Sequence, residues 1–157
     1  MTDRQIVCPI KVAHFDELTP QQQALVSAAR SATERSYAPY SNFHVGAALL
    51  LDDGEIVTGA NQENAATPSS LCAERTAAYY AGAQHPDTPM RAIAIAARDT
   101  SGREVERPIS PCGACRQALL EYEKLAGAPM EVLLAGRDEI YIIPSVKSLV
   151  PLAFTDF

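Results

Sequence analysis

A pair of cysteines at a predicted helix start is the first feature of this chain that suggests chemistry. Cys112 and Cys115 form a C-x-x-C pair in the segment Pro111-Cys112-Gly113-Ala114-Cys115. The free backbone N–H groups and the dipole at a helix start favour thiolates. A C-x-x-C pair on its own is compatible with a redox disulfide, a structural zinc site or a catalytic zinc site.

A third cysteine favours the catalytic zinc site. Cys72 also precedes a predicted helix, and because the two helices follow different strands, their starts can meet at one edge of a sheet. Three thiolates are one ligand short of a closed structural site, whereas a catalytic zinc keeps its fourth position for water. Glu74 would lie near that water without binding the metal. Cys8 has no partner at ligand spacing and is expected to lie outside the site.

Each of these residues also has an ordinary structural interpretation. Cys72 alone fits a small buried side chain, since free cysteine is often buried. Glu74 alone fits a solvated carboxylate on a helix surface. The zinc interpretation is favoured because Pro111, both cysteine spacings and the glutamate occur together.

Helices and strands alternate along the chain in a way that can position these residues. The predicted elements are a helix from Thr19 to Ser36, strands Phe43–Leu51 and Glu55–Ala60, a helix Cys72–Gln84, a strand Arg91–Ala97, a helix Pro111–Lys124, and strands Met130–Ala135 and Glu139–Ile143. The connection Gly136-Arg137-Asp138 is too short for a parallel crossover, so the last two strands should be antiparallel. The earlier segments are long enough for right-handed parallel crossovers, which predicts a mixed five-stranded sheet with helices on its faces.

Composition limits the kinds of partner. The chain has 157 residues, 47 % hydrophobic and 20 % charged, which predicts one globular domain over 1–157 with 1–17 as a peripheral extension. It contains no apolar stretch near the roughly 20 residues of a spanning helix. The net charge is −6 and Lys and Arg form no run. These features argue against nucleic acid and anionic membranes, and favour a small neutral or cationic ligand.

The first residues argue for the cytoplasm. Charged side chains interrupt the apolar positions that follow Arg4, so no secretory signal is predicted. Thiols stay reduced in the cytoplasm, and the cysteines are therefore interpreted as ligands rather than disulfides.

Together these motifs resemble the zinc deaminases, whose pattern is (H/C)-x-E followed by P-C-x-x-C. In particular, the chain resembles the small-subunit cytidine deaminases that form homotetramers. The matching segments are 37–48, 59–65, 72–77 and 109–117, and the ending Val150-Pro151-Leu152-Ala153-Phe154. The resemblance implies a three-layer α/β/α fold and one zinc ion per subunit. It also implies hydrolytic deamination of cytidine and 2′-deoxycytidine in pyrimidine salvage.

The resemblance also implies roles for single residues. Cys72, Cys112 and Cys115 match the zinc ligands, and Glu74 matches the proton shuttle. For the base, it implies that Phe43 packs on the pyrimidine ring, that the Ala73 N–H donates to the 2-oxygen, and that the Ser110 carbonyl lies near the leaving ammonia. For the ribose, it implies that Asn61 and Glu63, with Gln62 between them, bind the 3′-hydroxyl. It also implies that Phe154 reaches a neighbouring subunit's site. Thr67 occupies a position where the family often has an aromatic residue.

Three thiolates on one Zn²⁺ leave a net charge of −1, which should raise the pKa of the bound water. Two helix starts and Arg75 are the available sources of positive charge. Arg75 is therefore expected to face the sulfur of Cys112 or Cys115.

Three other functions were weighed against cytidine deamination. A deaminase for a cytosine-bearing antibiotic of the blasticidin type shares the zinc motifs but resembles the chain less through Asn61-x-Glu63. A polynucleotide-editing deaminase is disfavoured by the acidic charge, the predicted antiparallel ending and Glu63, whose carboxylate would repel a 3′-phosphate. A zinc-stabilised binding module without catalysis would not need Glu74.

Overall fold

A six-stranded mixed sheet with helices on both faces makes up the centre of the fold. The structure is a computed structural model, and it describes residues 1–155. Its strands are β1 (Lys11–Ala13), β2 (His44–Leu51), β3 (Ile56–Ala60), β4 (Met90–Arg98), β5 (Glu131–Ala135) and β6 (Ile140–Ile143), and its helices are α1 (Pro20–Ala32), α2 (Ala73–Gln84) and α3 (Gly113–Ala126). The strands lie in the order β1-β6-β5-β4-β2-β3.

The strand directions agree with the predicted mixed sheet. β5 and β6 are antiparallel, as their short connection requires. β4 and β5 are parallel, and α3 makes the crossover between them. β2 is antiparallel to both of its neighbours, β3 and β4, so β3 and β4 run in the same direction with β2 between them. The helices that follow β3 and β4 therefore begin at the same edge of the sheet.

The number of strands differs from the predicted five. Lys11–Ala13 forms β1, which pairs antiparallel with β6. Three residues of mixed polarity carry no strand pattern, so the sequence predicts only a peripheral extension here. Backbone pairing with β6 determines this strand, and His14 reinforces it through a 3.0 Å contact of Nδ1 with the Asp138 carbonyl. The added strand covers an edge of the sheet that would otherwise be open.

Two apolar cores lie on opposite faces of the sheet. Along β2, Ala47 and Leu49 point into the core beneath α2 and α3, whereas Ala48 and Leu50 point into the core beneath α1. This alternation is the period-two pattern of a strand that is buried on both faces. The predicted three-layer α/β/α arrangement is therefore confirmed. None of the helices in residues 1–155 combines the length and the apolar character needed to cross a membrane.

The start of α1 has the predicted capping box. The backbone N–H of Gln22 donates to Thr19 Oγ1 at 3.3 Å, and the backbone N–H of Thr19 donates to Gln22 Oε1 at 3.1 Å. The helix itself ends at Ala32, and the rest of the predicted span continues as a 3-10 turn over Thr33–Arg35.

Gly59 in β3 allows the start of α2 to lie directly on the sheet. A Cβ atom at this position would be 2.5 Å from the Ala77 nitrogen and 2.7 Å from the Ala73 oxygen. Both are backbone atoms of α2, which cannot move without moving the helix. The absence of a side chain at Gly59 therefore determines how closely the helix behind Cys72 approaches β3.

We predict that Gly59→Ala lowers the free energy of unfolding by about 1–3 kcal/mol, because the added methyl group must push α2 away from β3. Urea unfolding of the zinc-loaded protein measures the effect. Gly113→Ala is the matched control, since a Cβ there would have no heavy atom within 4 Å. A Gly59→Ala protein as stable as the wild type would contradict the close approach.

Candidate active site

Three cysteine sulfurs converge where α2 and α3 begin. The Sγ atoms of Cys72, Cys112 and Cys115 all lie within 4.8 Å of one another, and no other such group occurs in residues 1–155. Cys72 is the N-cap residue of α2 and Cys112 that of α3, and neither side chain caps its own helix. Cys8 is exposed and is not part of the group.

The sulfur positions fit a zinc ion. Thiolates at about 2.3 Å from a common tetrahedral centre lie roughly 3.8 Å apart. The Cys72–Cys112 distance is 3.9 Å and the Cys112–Cys115 distance is 3.5 Å. Three protein ligands leave one tetrahedral position open, which is the arrangement of catalytic zinc sites.

The pKa values of the thiols differ, in a way that is consistent with a cation site. Hydrogen bonds from the Cys115 thiol and from Arg75 lower the pKa of Cys72 to about 5. The pKa of Cys115 is raised, by its hydrogen bond to Cys72 and by burial. One thiolate is thus favoured and a second one beside it is not. A divalent cation would supply the charge that allows all three thiols to ionise.

Glu74 is a buried carboxyl group next to the thiols. It lies in the first turn of α2 with 4 % of its surface exposed. Burial raises the pKa of Glu74, and the neighbouring Cys72 charge raises it further, whereas a hydrogen bond with the Cys115 thiol acts in the opposite direction. A buried carboxyl group is costly unless it is partnered, and the partners of this one are the cysteine thiols.

Arg75 faces the sulfurs, and Cys72 is a partner in addition to the expected Cys115. Its Nη2 donates to Cys72 Sγ at 3.6 Å, and the guanidinium also hydrogen-bonds to Cys115. The contact with Cys72 arises in the first turn of α2, because residues three apart lie on the same face of a helix. The pKa of Arg75 is raised, most strongly by this hydrogen bond and then by Cys115. Its Nε is buried and has no partner within residues 1–155.

Asn61 holds the loop that carries Phe43. Its Oδ1 accepts hydrogen bonds from the Val45 N–H at 2.8 Å and from Ser36 Oγ at 2.5 Å. Its Nδ2 donates to the Phe43 carbonyl at 2.9 Å. One N–H of the Asn61 amide remains without a partner in the described residues, so this side chain can offer a ligand a donor but not an acceptor.

Residues of the same loop also fix the Glu63 side chain by hydrogen bonds. Its carboxylate accepts the backbone N–H groups of Tyr40 at 2.8 Å and Ser41 at 3.2 Å, and the Ser41 hydroxyl at 2.5 Å. These hydrogen bonds, first that of the Ser41 hydroxyl, lower the pKa of Glu63. The Gln62 side chain is engaged elsewhere, since its amide donates to the carbonyls of Arg35 and Ala60.

A cavity of about 500 Å³ extends from this loop to Cys72 and Arg75. Its lining includes Tyr40, Asn61, Glu63, Thr67, Cys72 and Arg75. The volume lies within the range of small-molecule sites. Thr67, rather than an aromatic residue, therefore borders this space.

Three other predicted site residues, Ala73, Ser110 and Phe154, do not line this cavity. Ala73 is fully buried at the first position of α2, where its N–H lies at the helix start. Ser110 is exposed and precedes the buried Pro111. Phe154 is 68 % exposed, and its carbonyl accepts a 2.8 Å hydrogen bond from Gln117 Nε2. Its aromatic ring is therefore at the surface of this subunit.

Sequence reasoning missed the residues that hold the site residues in place. Ser36 and Ser41 orient Asn61 and Glu63, and Arg116 contacts the segment that precedes Cys112. The only available signals were short hydroxyl side chains in a turn-rich stretch and an arginine directly after the C-x-x-C pair. Neither signal identifies a partner distant in sequence.

Comparisons with known proteins identify the relatives of this chain. Residues 19–126 match the family model for the cytidine and deoxycytidylate deaminase zinc-binding region. A cytidine deaminase of Halalkalibacterium halodurans is 41 % identical over 134 residues, which cover 85 % of this chain and 94 % of that protein. One of Sporosarcina psychrophila is 39 % identical over 133 residues, covering 85 % and 90 %. The crystal structure of a Burkholderia pseudomallei cytidine deaminase matches with a TM-score of 0.71 and 40 % identity, covering 87 % of this chain and all of that one.

We predict that Arg75→Gln lowers zinc affinity about 10-fold or more, because outer partners of metal ligands typically contribute 10- to 100-fold. Competition with a chromogenic chelator measures the affinity. Arg137→Gln is the matched control, since Arg137 forms an exposed ion pair with Asp138. Zinc affinity and activity that both stay at wild-type values in Arg75→Gln would contradict a role for Arg75 in balancing the thiolate charge.

Proposed function

The chain belongs to the family of zinc-dependent cytidine deaminases, and on that premise we propose that it hydrolyses cytidine and 2′-deoxycytidine to uridine and 2′-deoxyuridine, releasing ammonia. The observation that carries the proposal is the buried Glu74 carboxyl group beside three converging thiols. A purely structural zinc site needs no such group and would be closed by a fourth ligand. A catalytic site needs both the acid–base group and the open position.

Cys72, Cys112 and Cys115 are the proposed zinc ligands, one ion per subunit. The metal, when bound, is a Lewis acid in whose presence water ionises near neutral pH. The three thiolates oppose this effect, since their negative charge makes water less acidic. The N–H groups of two helix starts and the Arg75 guanidinium, which donates to Cys72 Sγ, counteract that charge.

Glu74 is proposed to move the protons of the reaction. Its carboxylate removes a proton from the attacking water and delivers it to N3 of the cytosine ring while oxygen adds at C4. The carboxylate then takes the proton of the hydroxyl group now on C4 and passes it to the 4-amino group, which leaves as ammonia while the C4 carbonyl of the product forms. One carboxyl group therefore acts as base and as acid in each of the two steps. Its position in the first turn of α2, two residues after Cys72, supports this role because the helix fixes the carboxyl next to the ligands.

Asn61 and Glu63 are proposed to bind the ribose 3′-hydroxyl. The remaining Asn61 N–H is a donor, and the Glu63 carboxylate is an acceptor held by the Ser41 hydroxyl. A hydroxyl can accept from the first and donate to the second, whereas a 3′-phosphate has no proton for Glu63 and is repelled by its charge. Loss of such a hydrogen bond rejects an analogue strongly. The substrates are therefore free nucleosides rather than nucleic acids.

The base is proposed to be held between the loop and the helix starts. Phe43 packs on the pyrimidine ring. The hydrogen bond from Asn61 to the Phe43 carbonyl fixes the backbone from which this side chain extends. The N–H of Ala73, at the first position of α2, donates to the 2-oxygen. The Ser110 carbonyl accepts from the amine that leaves.

We further propose that the protein is a homotetramer acting in cytoplasmic pyrimidine salvage. The exposed ring of Phe154 supports this assembly, because it is available to a neighbouring subunit's site. A reducing compartment is consistent with a site that needs three free thiols.

Incubation of the zinc-loaded protein with three substrates tests the proposed function. We expect cytidine and 2′-deoxycytidine to be converted to their uracil products. A cytosine within an oligonucleotide should remain unchanged, because Glu63 repels the 3′-phosphate. Product is measured by chromatography, with zinc content determined on the same sample.

Glu74→Gln is the matched variant for this experiment. It preserves the size of the side chain but removes the proton shuttle, so we expect activity to fall by about 10² to 10⁴ while zinc stays bound. Full activity of this variant, or efficient deamination of the oligonucleotide, would contradict the proposal.

A further inference from the structure

The chain beyond β6 lies along α3, and a buried carboxylate fixes where this segment begins. Glu123 on α3 has 8 % of its surface exposed. It accepts the backbone N–H groups of Val146 at 2.8 Å and Lys147 at 3.3 Å, and the hydroxyl of Ser145 at 2.8 Å. The C-terminal segment from residue 145 to residue 155, referred to below as the tail, is therefore bound to the same helix that carries Cys115.

Arg116, one residue after Cys115, connects the tail to the segment that leads into the zinc site. Its Nη1 donates to the Leu149 carbonyl in the tail at 3.1 Å. Its Nε donates to the Pro111 carbonyl at 2.8 Å, and its Nη2 donates to Ser110 Oγ at 2.8 Å. One planar side chain thus contacts both residues that precede Cys112 and a residue 33 positions further along the chain.

These contacts require a guanidinium group. The three acceptors are reached by three different nitrogens, which have fixed directions in the plane of the group. All three are neutral oxygens, and within residues 1–155 Arg116 has no carboxylate partner. A lysine ammonium has the same charge but is a single point and cannot reach three separated acceptors. These three hydrogen bonds therefore depend on the planar geometry of the guanidinium group more than on its charge.

We propose that Arg116 is a positioning residue for the deamination reaction, which locks the Ser110-Pro111 segment against the tail at Leu149. The proposal rests on the proposed function, in which the Ser110 carbonyl accepts from the leaving amine. Ser110 is exposed, and its side chain has Arg116 as its hydrogen-bond partner among the described residues. The Ser110 carbonyl lies in the chain between the two groups that Arg116 holds, the Ser110 hydroxyl and the Pro111 carbonyl, so the loss of Arg116 frees it to move.

The coupling acts within one subunit. Arg116, Ser110, Pro111 and Leu149 all belong to one chain, and their hydrogen bonds are formed without a neighbour. This role is separate from that of Phe154, whose ring lies at the surface. The tail therefore has an effect on its own subunit's site in addition to any contact it makes with a neighbouring subunit.

Steady-state kinetics of Arg116→Lys with cytidine test the proposal. A displacement of about 1 Å in a positioned group can cost about 100-fold, so we expect kcat to fall about 10- to 100-fold while KM changes little. Zinc content should remain one per chain, because the cysteines are untouched. Arg91→Lys is the matched control, since Arg91 pairs with Asp52 at the opposite end of β4 and should keep wild-type kinetics.

Ser110→Ala provides a second, milder variant that keeps the Ser110 carbonyl. It removes the hydroxyl that Arg116 contacts, and we expect kcat to fall severalfold. In the Arg116→Lys background the same change should have almost no effect, because the contact is already absent. Independent, multiplicative losses would show that the two residues do not act together and would overturn the proposal.

Two further outcomes would overturn it. If Arg116→Lys kept the kcat of the wild type, the hydrogen bonds of Arg116 to Ser110, Pro111 and Leu149 would not be needed for the reaction. If zinc were lost in proportion to activity, Arg116 would instead stabilise the metal site. Failure of the proposed function gives a different result, because the wild type and Arg91→Lys would then both leave cytidine unchanged. That outcome would remove the role of Arg116 as well.

Discussion

The concentration of negative charge at three cysteines is the constraint on which the rest of the structure depends. Thiolates separated by 3.5–3.9 Å repel one another unless positive charge lies close to them. The fold meets this requirement by bringing two helix starts to one edge of the sheet and by directing Arg75 at Cys72. The strand directions and the close approach at Gly59 bring those two helix starts together.

The remaining predicted parts of the site are held by side-chain hydrogen bonds that join segments distant in sequence. Asn61 fixes the loop around Phe43, and Ser41 on that loop fixes Glu63. Arg116 joins the segment before Cys112 to the tail in the same way. These contacts determine the distances between the groups that are proposed to bind the substrate.

Sequence patterns predicted the cysteine group and the neighbouring glutamate better than the residues that hold the site in place. The cysteine spacings and the position of Glu74 are local features, and each helix start brings its own residues into place. The antiparallel ending followed from the length of one connection. β1 was missed because its pairing with β6 is decided by backbone contacts over more than a hundred residues. The additional contact of Arg75 with Cys72 was not predicted, because spacing alone does not distinguish a sulfur on its own helix from one on another.

X-ray absorption spectroscopy at the zinc K-edge distinguishes an open three-cysteine site from a closed one, because it counts the sulfur atoms around the metal in the intact protein. We expect three sulfur scatterers at about 2.3 Å and one oxygen or nitrogen at about 2.0 Å, which is a site with an open fourth position. Four sulfur scatterers would contradict it, since they would describe a closed structural site in which Cys8 or a second chain supplies the last ligand and Glu74 has no water to act on.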